Sequence, residues 1–164
     1  MLVLKLIFII LLWTFIAYWM HRLGHIKSRY NPIYYFHIPH HNLDYISKEK
    51  RKSRNFKWYY LFFYFGNIRS TLDVIFVMTI PLTILIYIIA PNEGLFLLLL
   101  HYIYEVFLGE NILDHNPNLK GRITHYLAWG QTHLEHHRTP YKNYGLIINL
   151  WDYIFSTWKQ HQKA

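Results

Sequence analysis

Residues 72–108 decide the architecture: LDVIFVMTIPLTILIYIIA over Leu72 to Ala90, the turn PNEG over Pro91 to Gly94, then LFLLLLHYIYEVFL over Leu95 to Leu108. The first run is 19 residues long and is broken only by Asp73 near its start and by Pro81, which a membrane helix accommodates as a kink. The second carries His101 and Glu105 as its only ionisable residues. Two apolar runs joined by a four-residue turn predict a membrane hairpin whose open ends lie on one side. Working outward, Leu6 to Trp19 is apolar or aromatic apart from Thr14, so a further helix is expected over residues 1–20, delivering the chain to that side at His21. Ile16-Ala17-Tyr18-Trp19 offers no small-x-small cleavage site, so a retained helix rather than a signal peptide is expected.

Charge gives the orientation. Of the 17 Lys and Arg residues, 16 fall in segments 21–71 and 113–164, and the turn between the two runs has none. By the excess of basic residues in cytoplasmic loops, the histidine-rich segments are expected to be cytoplasmic. The run Lys48 to Arg54 is expected against anionic headgroups or as a solvated orientation signal, and Phe56 to Phe65 as an interfacial aromatic segment. The net charge of +8 fits that topology, and no nucleic-acid partner is expected. A composition 53% hydrophobic and 20% aromatic excludes a disordered chain. No repeat or linker divides the chain, so residues 1–164 are read as one integrated domain. The fold class is all-α: a multi-pass membrane protein with about three transmembrane helices, near 1–20, 72–90 and 94–112, and a cytoplasmic histidine-rich helical cap.

The chain has no cysteine and twelve histidines, so a bound metal would rest on imidazole, carboxylate or amide ligands. Eight of the twelve form three clusters: His21-Arg-Leu-Gly-His25, His37-Ile-Pro-His40-His41 and His133-Leu-Glu-His136-His137. On a helix, positions three and four apart bring two imidazoles towards one ion. The adjacent histidine of each H-H step points about 100° away and suits a second ion. A single structural zinc needs four ligands, so eight histidines imply two metals. Pro39 lies inside the second cluster, so a helix is expected to begin near Pro39, with His37 approaching from the preceding loop.

These clusters resemble the three histidine boxes of the fatty acid hydroxylase and sterol desaturase superfamily of membrane di-iron oxygenases. Asn143-Tyr144-Gly145 and Trp151-Asp152-Tyr153-Ile154-Phe155-Ser156-Thr157 are similar to two later segments of that family, with Ser156 in place of its usual glycine. His115, in Leu113-Asp114-His115-Asn116, is similar in context to a further family histidine before the third box. The resemblance implies His21, His25, His37, His40, His41, His115, His133, His136 and His137 as metal ligands, two iron ions as cofactor and O2 as co-substrate. It implies hydroxylation or desaturation of a lipid, either fatty acyl, sterol or related, with two external electrons. The chain carries no fused haem carrier, so a separate electron donor, a reductase or haem protein, is expected.

Imidazole ligands alone do not choose between iron, zinc and copper, and zinc can replace iron during purification. A non-enzymatic membrane protein that binds or buffers zinc is therefore the rival expectation. Asp114 and Glu135 are expected to accept hydrogen bonds from metal-bound imidazoles, and for Glu135 a solvated helix position fits equally. His101 is expected to hydrogen-bond, with Glu105 one turn on as a candidate partner, rather than to bind metal. His125 is open between ligand and helix surface, and Asp152 is expected to cap a turn or pair with Arg138. A bacterial inner membrane and an endoplasmic reticulum satisfy the topology equally.

Overall fold

The computed structural model of the chain describes residues 1–41, 57–64 and 68–160. Every regular element among them is helical; the one strand-like feature is an isolated antiparallel bridge between Leu127 and Ile148. Helix α1, Leu2–Gly24, runs four residues beyond its expected end, so His21 sits in its last turn and His25 caps it. Helix α2 spans Pro32–His41.

The course of α2 corrects one expectation. The helix begins at Pro32, not near Pro39, and His37 projects from the helix itself. Pro32 fits a first-turn position, where a missing N–H costs nothing, whereas Pro39 forgoes one hydrogen bond within the helix. Packing against α1 and the third long helix outweighs that local loss.

That third helix, α3, covers Ile68–Ile89. Its middle, Ile75–Thr79, is a π-helical stretch, with the Ile80 amide donating to the Ile75 carbonyl. Pro81 follows directly; it has no N–H for the carbonyl four residues back and its ring needs room there, so the wider turn absorbs it. The indole of Trp13 in α1 donates to the Met78 carbonyl at 2.9 Å, tying the two helices at this level. Helix α4 follows the 91–94 turn: Leu95–Ile103 is α-helical and Tyr104–Asp114 continues as a π-helix. Three short helices complete the fold: α5, Ile123–Tyr126; α6, Gln131–Arg138; and α7, Leu150–Ile154.

Two helices, α1 and α3, are long and apolar enough to cross a membrane; the apolar part of α4, Leu95–Gly109, is shorter than the expected span. Only 28% of the apolar window of α1 and 39% of that of α3 is buried within the protein. The inner faces form the core, with Ile9, Trp13 and Ala17 against Val77, Met78, Leu82 and Ile86. The outer faces, among them Leu4, Ile7 and Phe8 on α1 and Ile84, Tyr87 and Ile88 on α3, are left exposed, as helices in lipid are. The basic run Lys48 to Arg54 lies outside the described residues. Of the aromatic segment after it, Trp58–Leu61 forms a 3₁₀ turn with Trp58 and Phe62 exposed, and Tyr102 on α4 donates to the Leu61 carbonyl.

Candidate metal centre

The C-terminal end of α1, helix α2, the start of α3, the end of α4 and helix α6 converge at one end of the bundle. Gly24 permits the closest of these approaches: a Cβ there would stand 3.0 Å from Cγ and Cδ2 of His37. Gly130, ahead of α6, has φ +56°, and a Cβ on it would collide with the Leu119 carbonyl. Glycine at these two positions lets α2 lie on α1 and lets α6 turn inward.

The nine histidines singled out from the sequence come together in two groups. His21, His25, His37, His41 and His136 form the first; His40, His115, His133 and His137 form the second; within each, one nitrogen per residue lies within 4.8 Å of all the others. Both H-H steps divide as helical geometry requires, with His41 and His136 in one group and their neighbours His40 and His137 in the other. The groups abut, the His41 and His137 rings stacking at 4.3 Å.

Hydrogen bonding fixes which nitrogen faces inward. His37 Nδ1 donates to Asp73 Oδ2 at 2.8 Å, His21 Nδ1 to the Tyr144 carbonyl at 2.7 Å, and His136 Nδ1 to the Lys142 carbonyl at 2.6 Å. A neutral imidazole has one N–H, so all three rings turn a bare Nε2 lone pair into the group. His25 Nε2 lies 3.1 Å from Nε2 of both His37 and His136, and His37 Nε2 lies 2.9 Å from that of His41. One proton on His25 can bridge to one neighbour only, and His21 Nε2 is buried without a hydrogen-bond partner. Converging lone pairs of this kind fit a cation. The separations agree: metal–nitrogen bonds of about 2.1 Å give neighbouring ligands about 3.0 to 3.4 Å apart in octahedral and tetrahedral geometry. In the second group, His115 to His137 is 3.1 Å and His133 to His137 is 3.3 Å.

Burial favours the unprotonated form of seven of these rings. It lowers His25 and His40 to about 4 and His133 to about 3, with neighbouring imidazoles adding to the effect on His40 and His133. His37, His41, His136 and His137 are lowered as well, by burial first and by their neighbours second. Neutral imidazole is the metal-binding form.

A cavity of about 60 Å³ opens between histidines of both groups and α3. Val74, Val77, Met78 and Leu146 form its apolar wall, and Asp73, Glu105 and Asp114 its acidic end. Asp114 accepts the Tyr104 hydroxyl, and burial pushes its carboxyl up to about 7. Glu135 pairs with Lys159 Nζ at 2.8 Å, with Arg138 at 3.8 Å. His101 and His125 belong to neither group: His101 Nε2 bonds Thr79 Oγ1 at 3.0 Å, with Glu105 at 3.6 Å from its Nδ1, and His125 packs on Trp158. Asp152 does not pair with Arg138. It is fully buried and accepts the Tyr144 and Gly145 amides, each at 2.7 Å.

A carboxylate bonded to a candidate ligand is Asp73, which the sequence presents only as an interruption in an apolar run. A lone acidic residue at the end of a membrane helix is itself the signal that finds it. The loop Lys142 to Gly145 supplies two further partners through carbonyls, which leave no trace in the residue pattern.

Two long apolar helices, with two groups of buried and half-buried imidazoles at one end, make this a membrane-associated protein with a candidate histidine metal site. The fatty acid hydroxylase family model matches residues 6–157, and the chain belongs to that family, which is one of oxidoreductase enzymes. No curated protein and no solved structure matches it.

Proposed function

We propose that the chain is an O2-dependent di-iron lipid hydroxylase or desaturase, acting on a fatty acyl, sterol or related lipid at the cytoplasmic face of the membrane. The observation that carries this reading is the sorting of nine imidazoles into two adjoining groups of five and four. Two adjoining ligand sets would suit a pair of ions that activates a small molecule better than they suit storage of zinc.

His21, His25, His37, His41 and His136 would hold one ion, and His40, His115, His133 and His137 the other. Held there, two irons would supply the redox chemistry that activates O2 for attack on an unactivated C–H bond. Hydroxylation consumes O2, two electrons and two protons and yields the alcohol and one water; desaturation on the same inputs yields the alkene and two waters. Asp73 and the carbonyls of Lys142 and Tyr144 orient three imidazoles. Val74, Val77 and Met78 offer a hydrocarbon chain an apolar wall beside them and limit water there. The electrons come from a separate reductase or haem carrier. The protein is multi-pass, in a bacterial inner membrane or an endoplasmic reticulum, with the histidines on the cytoplasmic side.

The test is metal content of protein purified in mild detergent, followed by dithionite reduction and exposure to O2 with membrane lipid extract. Two irons per chain that reoxidise with formation of an oxidised lipid support the oxygenase. An iron-reconstituted sample inert to O2 with every lipid class offered would establish the zinc-buffering alternative instead.

A further inference from the structure

Asp152 and His21 lie on opposite sides of one peptide unit. Gly145 N–H donates to Asp152 Oδ2 at 2.7 Å, and the carbonyl of that same peptide, on Tyr144, accepts His21 Nδ1–H at 2.7 Å. The chain of atoms therefore runs from carboxylate through amide to imidazole, ending at the buried Nε2 of His21. The described contacts of the Asp152 side chain are all donors to it: the Tyr144 and Gly145 amides and the Thr157 hydroxyl, itself 2.9 Å from the Tyr18 hydroxyl. Burial raises the Asp152 carboxyl, and these three donors, which hydrogen-bond the charged form, oppose that rise and favour the carboxylate.

We propose that Asp152 is a positioning residue that makes His21 a stronger donor ligand through the Tyr144–Gly145 peptide. A negative charge on the amide end of a peptide polarises its carbonyl, and bonds in such chains strengthen one another. The arrangement is a carboxylate–histidine pair lengthened by one peptide, beside the direct pair that Asp73 makes with His37. The third oriented ring in this group differs. His136 bonds the Lys142 carbonyl, whose peptide N–H, on Asn143, donates to the neutral Thr157 carbonyl at 3.0 Å. The first group thus has one ring bound directly to a carboxylate, one bound through a peptide, and one whose relay ends in a neutral amide.

The inference rests on the first group holding a metal, and its test separates the two ideas. Full-length protein in mild detergent, freed of metal and labelled with ¹⁵N-histidine, reports the His21 Nδ1–H resonance, assigned by its loss in His21→Asn. Asp152→Asn weakens the pull on the peptide and moves that resonance upfield. Thr157→Val removes a donor from the carboxylate's other oxygen, concentrates its charge and moves the resonance downfield. Titration with Co²⁺ against a chelator follows in the same order: about tenfold weaker binding at the first group in Asp152→Asn and tighter binding in Thr157→Val.

A merely structural role predicts shifts of one sign in both variants, and that result, or no shift in either, overturns the proposal. If Asp152→Asn does not fold, the downfield shift in Thr157→Val alone decides. Failure of the unaltered protein to bind Co²⁺ would overturn the metal-site reading, while the metal-free resonance still judges the relay.

Discussion

His37 and Asp73 are 36 residues apart in the chain and 2.8 Å apart across the junction of α2 and α3. The bond holds the His37 ring with Nε2 between His25 and His41, at 3.1 and 2.9 Å. Asp73→Ala frees the ring to rotate and removes its acceptor. Metal affinity of the first group is expected to fall about 10- to 100-fold, measured by chelator competition, with the second group retaining its ion. An unchanged two-ion stoichiometry under competition would remove Asp73 from the site.

The two isolated histidines give the opposite expectation. His101 is held by Thr79 and set edge-on to Trp13 at 5.4 Å, and His125 lies against Trp158. His101→Gln and His125→Gln should keep full metal content by elemental analysis, whereas His133→Ala should lose the ion of the second group. Loss of metal in His101→Gln would require a ligand set wider than the nine.

Helical periodicity made eight of the candidate ligands legible, and His115 came only through the family resemblance. The i, i+4 pairs His21/His25, His37/His41 and His133/His137 each share a group, whereas the i, i+3 partners His40 and His136 fall in the opposite one. The sequence also showed that adjacent histidines diverge. It did not show the His37–Asp73 bond, which depends on how α2 lies across α3. Nor did it reveal the Lys142 and Tyr144 carbonyls, since every residue has one and only the loop's path aims them. Pro39 misled because a local helix-breaking rule was weighed without the packing that offsets it.

The lowered histidines set a pH dependence. In the unfolded chain each takes up a proton as the pH falls through about 6.5; in the folded protein His25 and His40 do so only near 4 and His133 near 3. Between those limits the unfolded state binds more protons, so folding stability is full above about pH 6.5 and is lost as the pH falls. The limiting slope is about 1.4 kcal/mol per pH unit for each fully buried histidine. Metal-free protein should therefore melt at progressively lower temperature from pH 7 to pH 5. A flat profile over that range would contradict the burial of neutral rings.

Gly24 tests the contact between the first two clusters. Gly24→Ala places a methyl 3.0 Å from two ring atoms of His37, whose other side is tethered to Asp73. The ring has little freedom to retreat, so a loss of about 1 to 3 kcal/mol in stability is expected from thermal unfolding, together with weaker metal binding at the first group. Wild-type values for both would mean that α2 shifts as a unit without cost.

Ser156 has a φ of +55°, in the left-handed region that favours glycine. The left-handed conformation costs a residue with a Cβ about 1 to 2 kcal/mol, of which glycine's greater freedom in the unfolded chain returns about 0.5 to 1. Ser156→Gly should thus stabilise the protein by about 1 kcal/mol, and Ser156→Val, branched at Cβ, should destabilise it by at least as much. The turn matters to the site because the next residue, Thr157, donates its hydroxyl to Asp152 and its amide to the Asp152 carbonyl. Melting temperatures in the order Gly, Ser, Val are the expected result. A valine variant as stable as the parent would show that the backbone leaves the left-handed region at no cost, and would weaken the argument that this turn holds Asp152 in place.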